Sequence, residues 1–428
     1  MRTFTIIWFG QLVSTIGSYM TEFALTLWAW EVTGSATALA LVGFFSQLSR
    51  IPITVFAGLI VDWFNRKQLM ILGDTIAALS TVAIGLLYLT DSLQIWHIYT
   101  ASLVNGGFGQ IQGLAYRTSI SLIIPQHHYT RANSMNSAVH YGSNILAPAL
   151  AGGLYPIIGL PGIILIDLIT FGCAIATLLW VHIPQPQAEK PDQPEPFLRQ
   201  LTFGIRYIWK QQGLRLLLII TTLFWFAHDL GGSIQDPMIL ARTGGDPQVF
   251  ASIGVAAGIG GVTGAIILSS WGGSRRRIFG MLFGFMGAGI AKTVFGLGRM
   301  GKVWVPAQFC SSLNFPLLGS SENAIWMEKI TPQMQGRVFA ANALVLQGVS
   351  AIASLIAGPL ADYILEPAMR ANGYLNPLLG GIFGSQAGAG MALLYVICSL
   401  SMLAVGIAGL MLPTLRNLEK EPNLETDC

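Results

Sequence analysis

The chain has 428 residues, of which 53% are hydrophobic and 10% charged, with a net charge of +3 and a mean hydropathy of +0.60. So little charge excludes a string of soluble domains, and the small net charge carries no argument for a nucleic-acid partner. Apolar stretches of about 20 residues recur from end to end, each long enough to cross a hydrocarbon core of about 30 Å, which points to an all-α membrane protein.

Twelve membrane spans are predicted, at about 5–30, 37–61, 68–89, 96–118, 131–156, 160–182, 214–236, 249–271, 277–297, 303–327, 337–365 and 389–412. With the amino terminus inside, 17 of the 23 Lys and Arg fall in cytoplasmic segments, so both termini are expected in the cytoplasm. Met1 to Phe4 lead straight into span 1 without a small-residue cleavage site, so no cleavable signal is expected. Cys173, Cys310 and Cys398 lie in apolar runs and Cys428 ends the chain, so no disulfide is expected.

Ionisable residues inside spans are expensive and mark partners, cavities or proton paths. In span 1, Glu22 stands in the outer half, with Gln11, Ser14 and Ser18 below it at helical spacing. Arg50 lies near the middle of span 2, ahead of the helix-kinking Pro52. Glu22 therefore either pairs with Arg50 as a neutralised ion pair or takes part in coupling and cargo binding, and the two roles are compatible.

Spans 2 and 3 are joined by Gly58-Leu59-Ile60-Val61-Asp62-Trp63-Phe64-Asn65-Arg66-Lys67. Gly58 allows close helix approach, Asp62 suits a helix start, and Arg66 and Lys67 can pair with acids or with carbonyls at helix ends. Asp74, one turn into span 3, is expected to tie down Arg66 or Lys67. Gly58, Asp62, Arg66, Lys67 and Asp74 together form a candidate cytoplasmic gate. His127-His128 reads as a solvated loop, since adjacent side chains diverge and no acid or thiol accompanies them. Asp167 in span 6 is a further acid within a span.

The segment from His182 to Gln212 breaks the hydropathy. Its prolines (184, 186, 191, 194 and 196) make a stiff linker, and Phe197 to Gln212 has the pattern of an amphipathic helix on the inner membrane surface. It divides the chain into an N-terminal six-helix bundle (1–183), a linker with that helix (184–212) and a C-terminal six-helix bundle (213–428). In the second half, His228 and Asp229 lie in the outer half of span 7, with Trp225 and Thr221 on nearby turns. Trp225 and Trp326 suit stacking on a planar cargo. Glu322 in span 10, beside Ser320, Ser321 and Asn323, is expected to face a polar lumen. The Gly-rich runs 254–264 and 280–289 lack the Lys-Ser/Thr of a phosphate loop and suit close helix packing. No nucleotide-binding sequence and no metal cluster is found, so no cofactor is expected.

The halves correspond. Gly58 and Gly264 are 206 residues apart, as are Arg131 and Arg337; Pro125 and Pro332 are 207 apart, and Thr33-Gly34 answers Thr243-Gly244 at 210. Pro184 and Pro413 differ by 229, which places an insertion of about 20 residues in an outer loop, Glu366 to Gly388. A parallel repeat of six-helix units underlies one large class of alternating-access transporters.

The Gly58…Asp62…Arg66-Lys67 hairpin resembles the loop between helices 2 and 3 of the major facilitator superfamily, with Trp63 where the family usually has a base and Asn65 where it has glycine. Pro125…Arg131, Pro332…Gly336-Arg337-Val338, Pro148…Gly152-Gly153, Gly358-Pro359-Leu360-Ala361-Asp362 and Thr33-Gly34-Ser35-Ala36 are similar to its drug:proton antiporter branch, which includes macrolide efflux proteins and enterobactin-type siderophore exporters. The resemblance implies two pseudo-symmetric bundles in the plasma membrane, a cavity lined by spans 1, 4, 7 and 10, export, proton coupling and an amphipathic cargo such as a siderophore, macrolide or drug. No enzymatic activity is expected, and the chain is expected to work as a monomer with the bilayer, protons and a small molecule as partners. Glu22, Arg50, His228, Asp229 and Glu322 are the coupling or cargo candidates, and Gln11, Ser14, Ser18 and Trp225 the polar cavity candidates. A facilitator or importer of the same fold would need no embedded acid, and a non-transporting receptor or scaffold would leave these embedded charges unexplained.

Overall fold

The computed structural model describes residues 2–125, 128–181, 183 and 197–420, and every regular element among them is helical. His127 and the proline-rich linker lie outside the described residues. Two compact units are present: Met1–Asp192 with Thr243–Val255, and Gln193–Arg242 with Ala256–Cys428.

The first unit contains α1 (Arg2–Thr33), α2 (Ala36–Trp63), α3 (Arg66–Leu89), α4 (Ile95–Ile123) and α5 (Tyr129–Trp180). At 52 residues, α5 carries spans 5 and 6, and the loop expected between them shrinks to one non-helical residue, Gly159, at φ 63°. Only glycine takes that conformation without a Cβ clash, and Pro161 follows in the first turn of the next segment, where a missing N–H is not needed. Ser35 caps α2 by accepting from the N–H of Ala38, and Asn65 caps α3 by accepting from that of Gln68. The asparagine that departs from the family's glycine is thus the residue that starts span 3. The first turns of α8 (Pro247–Trp271) also belong to this unit. Phe250 stacks on Phe23 at 4.8 Å between ring centroids, and Gly152 and Gly254 leave room only for Ala251 and Pro148.

In the second unit, α6 (Phe197–Lys210) precedes α7 (Gln212–Thr243), the rest of α8, and α9 (Arg277–Leu297). Gly204 of α6 lies against the backbone of Arg337, whose guanidinium covers the Phe203 ring at 5.4 Å. Span 10, expected as one helix, is α10 (Gly301–Leu313) and α11 (Phe315–Lys329), with the break at Asn314. Pro316 is the cause, since it lacks an N–H and its ring clashes with the preceding turn, while the Asn314 amide donates to the Cys310 carbonyl at 2.8 Å. Span 11 is α12 (Pro332–Pro359), extended through a π-helical stretch, Leu360–Leu365, into α13 (Glu366–Met369). Span 12 is α15 (Ala389–Met411), reached through α14 (Asn376–Phe383).

Eight of these helices are long and apolar enough to cross a membrane on their own. One of them, Ser134–Trp180, is long enough for two crossings at about 1.5 Å per residue. Adding α1, α4 and the broken pair α10–α11 completes a twelve-helix membrane architecture, six spans in each half of the chain. Inside the second unit Phe224 and Phe285 stack at 3.7 Å, and Gly260 and Gly264 meet the backbone of Phe309 and Leu313. Lipid tails are as apolar as leucine, so such close backbone approaches hold the helices together.

The expected outer loop, Glu366 to Gly388, is more than a loop. Arg242 donates to the carbonyls of Gly298 (2.6 Å) and Phe383 (3.0 Å), and Arg299 to those of Gly381 and Ile382, so both bases tie α14 to the ends of α7 and α9. The Glu366 carboxylate faces the N–H groups of Gly388, Gly390 and Met391 at the start of α15. Those backbone donors and the positive end of the helix both favour the carboxylate there, while its Oε1 is left without a hydrogen bond.

Candidate functional site

In the first unit, α1 turns two of its expected cavity residues toward acids of its own bundle. Gln11 donates to Asp74 Oδ2 at 3.2 Å, and Gln112 of α4 donates to Asp74 Oδ1 at 3.1 Å and to Gln11 Oε1 at 2.9 Å. About two turns further out, Ser18 donates to Asp167 Oδ1 at 3.4 Å and Thr81 to Asp167 Oδ2 at 3.5 Å. Asp74, Asp167 and Ser14 are buried, at 6%, 1% and 5% exposure. The expectation that Asp74 ties down Arg66 or Lys67 is corrected. A carboxylate at that depth needs donors around it, and the two glutamines supply them.

The bases of the hairpin go to helix ends instead. Arg66 donates to the Thr118 carbonyl at 2.8 Å, and Lys67 to the carbonyls of Leu179 (3.1 Å) and Val181 (2.8 Å), where α5 runs out of its own donors. Gly58 and Asp62 fall in the last turns of α2, and their surroundings lie outside the described residues.

Glu22 is exposed on α1, and so is Arg50 on α2. The Arg50 charge acts on Glu22 at a distance, and no direct ion pair joins them among the described residues. The contact ion pair that the neutralised-pair alternative requires is therefore not formed among the described residues.

The second unit holds a denser cluster. His228 Nδ1 and Asp229 Oδ1 are 3.0 Å apart, with about a fifth of each side chain exposed. Lys292 of α9, only 5% exposed, donates to the Tyr395 hydroxyl at 3.2 Å and sits 5.4 Å from the centre of that ring. The Tyr395 hydroxyl donates in turn to Gln235 Oε1 at 3.0 Å, back on α7. The charges of Asp229 and Asp236 both act on Lys292, so α7, α9 and α15 share one chain of acid, base and hydrogen bonds. Above one end of it Trp225, His228 and Phe315 meet edge to face, with the His228 ring 5.1 Å from each of the other two. Trp225 Nε1 donates to Glu322 Oε2 at a long 3.5 Å. Glu322 itself is buried, at 7% exposure. The indoles of Trp225 on α7 and Trp326 on α11 lie against it.

Sequence reasoning passed over Lys292, Tyr395, Gln235 and Gln112. For Lys292 the signal was present, an ionisable residue in the middle of span 9, and it is the same signal that singled out Glu22. The other three are neutral: the packing of α4 on α3 brings Gln112 to Asp74, and that of α15 on α9 brings Tyr395, with its acceptor Gln235, to Lys292.

Curated relatives cover nearly the whole chain. Macrolide efflux protein A of Streptococcus pyogenes is 25% identical over 366 residues, 84% of this chain and 90% of the relative. Multidrug efflux pump Tap of Mycolicibacterium fortuitum is 22% identical over 425 residues, covering 97% and 96%. Among solved structures, a POT family transporter in complex with 5-aminolevulinic acid superposes with a TM-score of 0.69 at 11% identity over 96% of each chain. A bacterial homologue of the human lysosomal transporter Spinster gives 0.65 at 15% identity, covering 98% and 97%. These structures share the fold alone. Embedded acids and bases on twelve spans, a repeat between the halves and a Major Facilitator Superfamily pattern matching residues 7–354 agree, and the chain belongs to that superfamily of membrane transporters.

Proposed function

We propose that the protein exports an amphipathic small molecule, of the macrolide or multidrug kind that its relatives are named for, and that inward proton movement drives the export. The observation that carries the coupling is the cluster around Asp229. An acid and an imidazole in contact, both partly accessible, lie beside a buried lysine whose hydroxyl partner leads back to the same helix. Such a group can take up a proton when it faces one side and release it on the other, provided the two halves of the chain rock between alternating states. Glu22, accessible on the equivalent helix of the first half, is the second coupling candidate.

Purified protein in proteoliposomes tests this reading. Asp229→Asn or Glu22→Gln retains efflux of a fluorescent amphipathic drug down its gradient and loses accumulation against it under an imposed pH gradient. If both variants still accumulate cargo with wild-type dependence on that gradient, neither carboxylate couples. A wild-type protein indifferent to the pH gradient overturns proton coupling altogether.

A further inference from the structure

At the opposite end of the second unit from Arg242, a concavity of about 350 Å³ is lined by Arg275, Arg276, Arg277, Glu328, Arg416, Glu419 and Lys420. Both acids are already engaged by one arginine. Arg277 donates from its guanidinium to Glu328 and from its backbone N–H to Glu419 Oε1 at 2.8 Å. Arg276 lies over the Phe279 ring at 5.7 Å, which leaves its charge uncompensated. Arg275, Arg416 and Lys420 are exposed and have no acid partner among the described residues.

The lining residues lie at or beyond helix ends: α8 stops at Trp271, α9 starts at Arg277, α11 stops at Lys329, and Arg416, Glu419 and Lys420 follow within nine positions of the end of α15 at Met411. Trp271 and Met411 are exposed beside those ends, at 62% and 77%. An indole and an apolar side chain at that height mark the boundary between acyl chains and headgroups. The cations therefore surround a hollow at the depth where phosphates of one leaflet lie, the geometry of a headgroup pocket rather than of a solvated charge run. We propose that this concavity binds the phosphate of an anionic phospholipid from the adjoining leaflet, the one that the distribution of bases makes the inner leaflet.

Native mass spectrometry of the detergent-purified full chain, titrated with phosphatidylglycerol or with phosphatidylcholine, tests the proposal. Arg275→Gln/Arg416→Gln removes two of the uncompensated charges and leaves Arg277 with its acids, so the start of α9 stays tied. This variant binds phosphatidylglycerol about 10- to 30-fold more weakly than wild type. Arg206→Gln/Lys210→Gln removes the same charge from α6 and changes binding by less than about threefold. Equal losses in the two variants, or phosphatidylcholine held as tightly as phosphatidylglycerol, overturns the site. Inorganic phosphate that releases the bound lipid at sub-millimolar concentration assigns the pocket to a free anion and overturns the lipid. A variant whose unfolding midpoint falls is replaced by Arg275→Gln alone, for which a loss of about three- to sixfold is expected and unchanged binding overturns the proposal.

Discussion

Gln112→Leu removes both hydrogen bonds that the Gln112 amide nitrogen donates, one to Asp74 Oδ1 at 3.1 Å and one to Gln11 Oε1 at 2.9 Å. Leucine fills nearly the same volume, so no cavity term complicates the result. A bond to a carboxylate contributes about 1.5–3 kcal/mol and a neutral one about 0.5–1.5 kcal/mol. At 6% exposure Asp74 has no route to water that would replace them. The expected cost is therefore about 2–4 kcal/mol, which for a unit of this size lowers the unfolding midpoint by roughly 5–15 °C. Thermal unfolding of the purified protein in detergent, followed by intrinsic tryptophan fluorescence, measures it. The same substitution in an Asp74→Asn background costs about half as much, because the bond lost there is neutral. A drop of less than about 2 °C, or equal drops in the two backgrounds, refutes the assignment of Asp74 to this polar triad.

Lys67→Met frees the carbonyls of Leu179 and Val181 at the end of α5 and costs about 1 kcal/mol, read as a loss of roughly 2–4 °C in the same assay. Glu366→Ala removes the charge facing the start of α15 and costs about 1–2 kcal/mol, whereas Glu366→Gln, which keeps an acceptor there, costs less. An epitope inserted between the exposed Ala371 and Asn372 leaves the protein folded and is stained on intact cells. Staining only after permeabilisation overturns the orientation. The same epitope between Gly388, at φ 85°, and Ala389 breaks the junction that Glu366 and Arg242 hold, and membrane levels of the protein fall.

The span pattern was legible because a bilayer imposes a length and a composition on every crossing, and both are properties of the chain alone. The correspondence of Thr33-Gly34 with Thr243-Gly244 was legible for a similar reason. Gly34 and Gly244 close α1 and α7 at φ 56° and 67°, a local requirement that glycine meets wherever a helix must end that way. The break at Asn314 was also written locally, in Pro316, but hydropathy averages over such a residue. The cost of placing a charge in an apolar span likewise belongs to the residue itself, which is why Glu22, Asp229 and Glu322 stood out at once.

What the sequence did not decide was where each charge finds its partner. Asp74 lies eight positions from Arg66 and seven from Lys67, and nearness in the chain favoured those bases. In the folded unit its donors come from 63 residues before it and 38 after it, because α1 and α4 pack against α3 at that height. Lys292 and Tyr395, 103 residues apart, meet only where α15 lies along α9. Hydropathy fixes how deep a group lies, since depth follows from rise along one helix. Which neutral side chain reaches it depends on the rotation and crossing of separate helices, and those are set by glycine contacts and aromatic stacking that no single span contains.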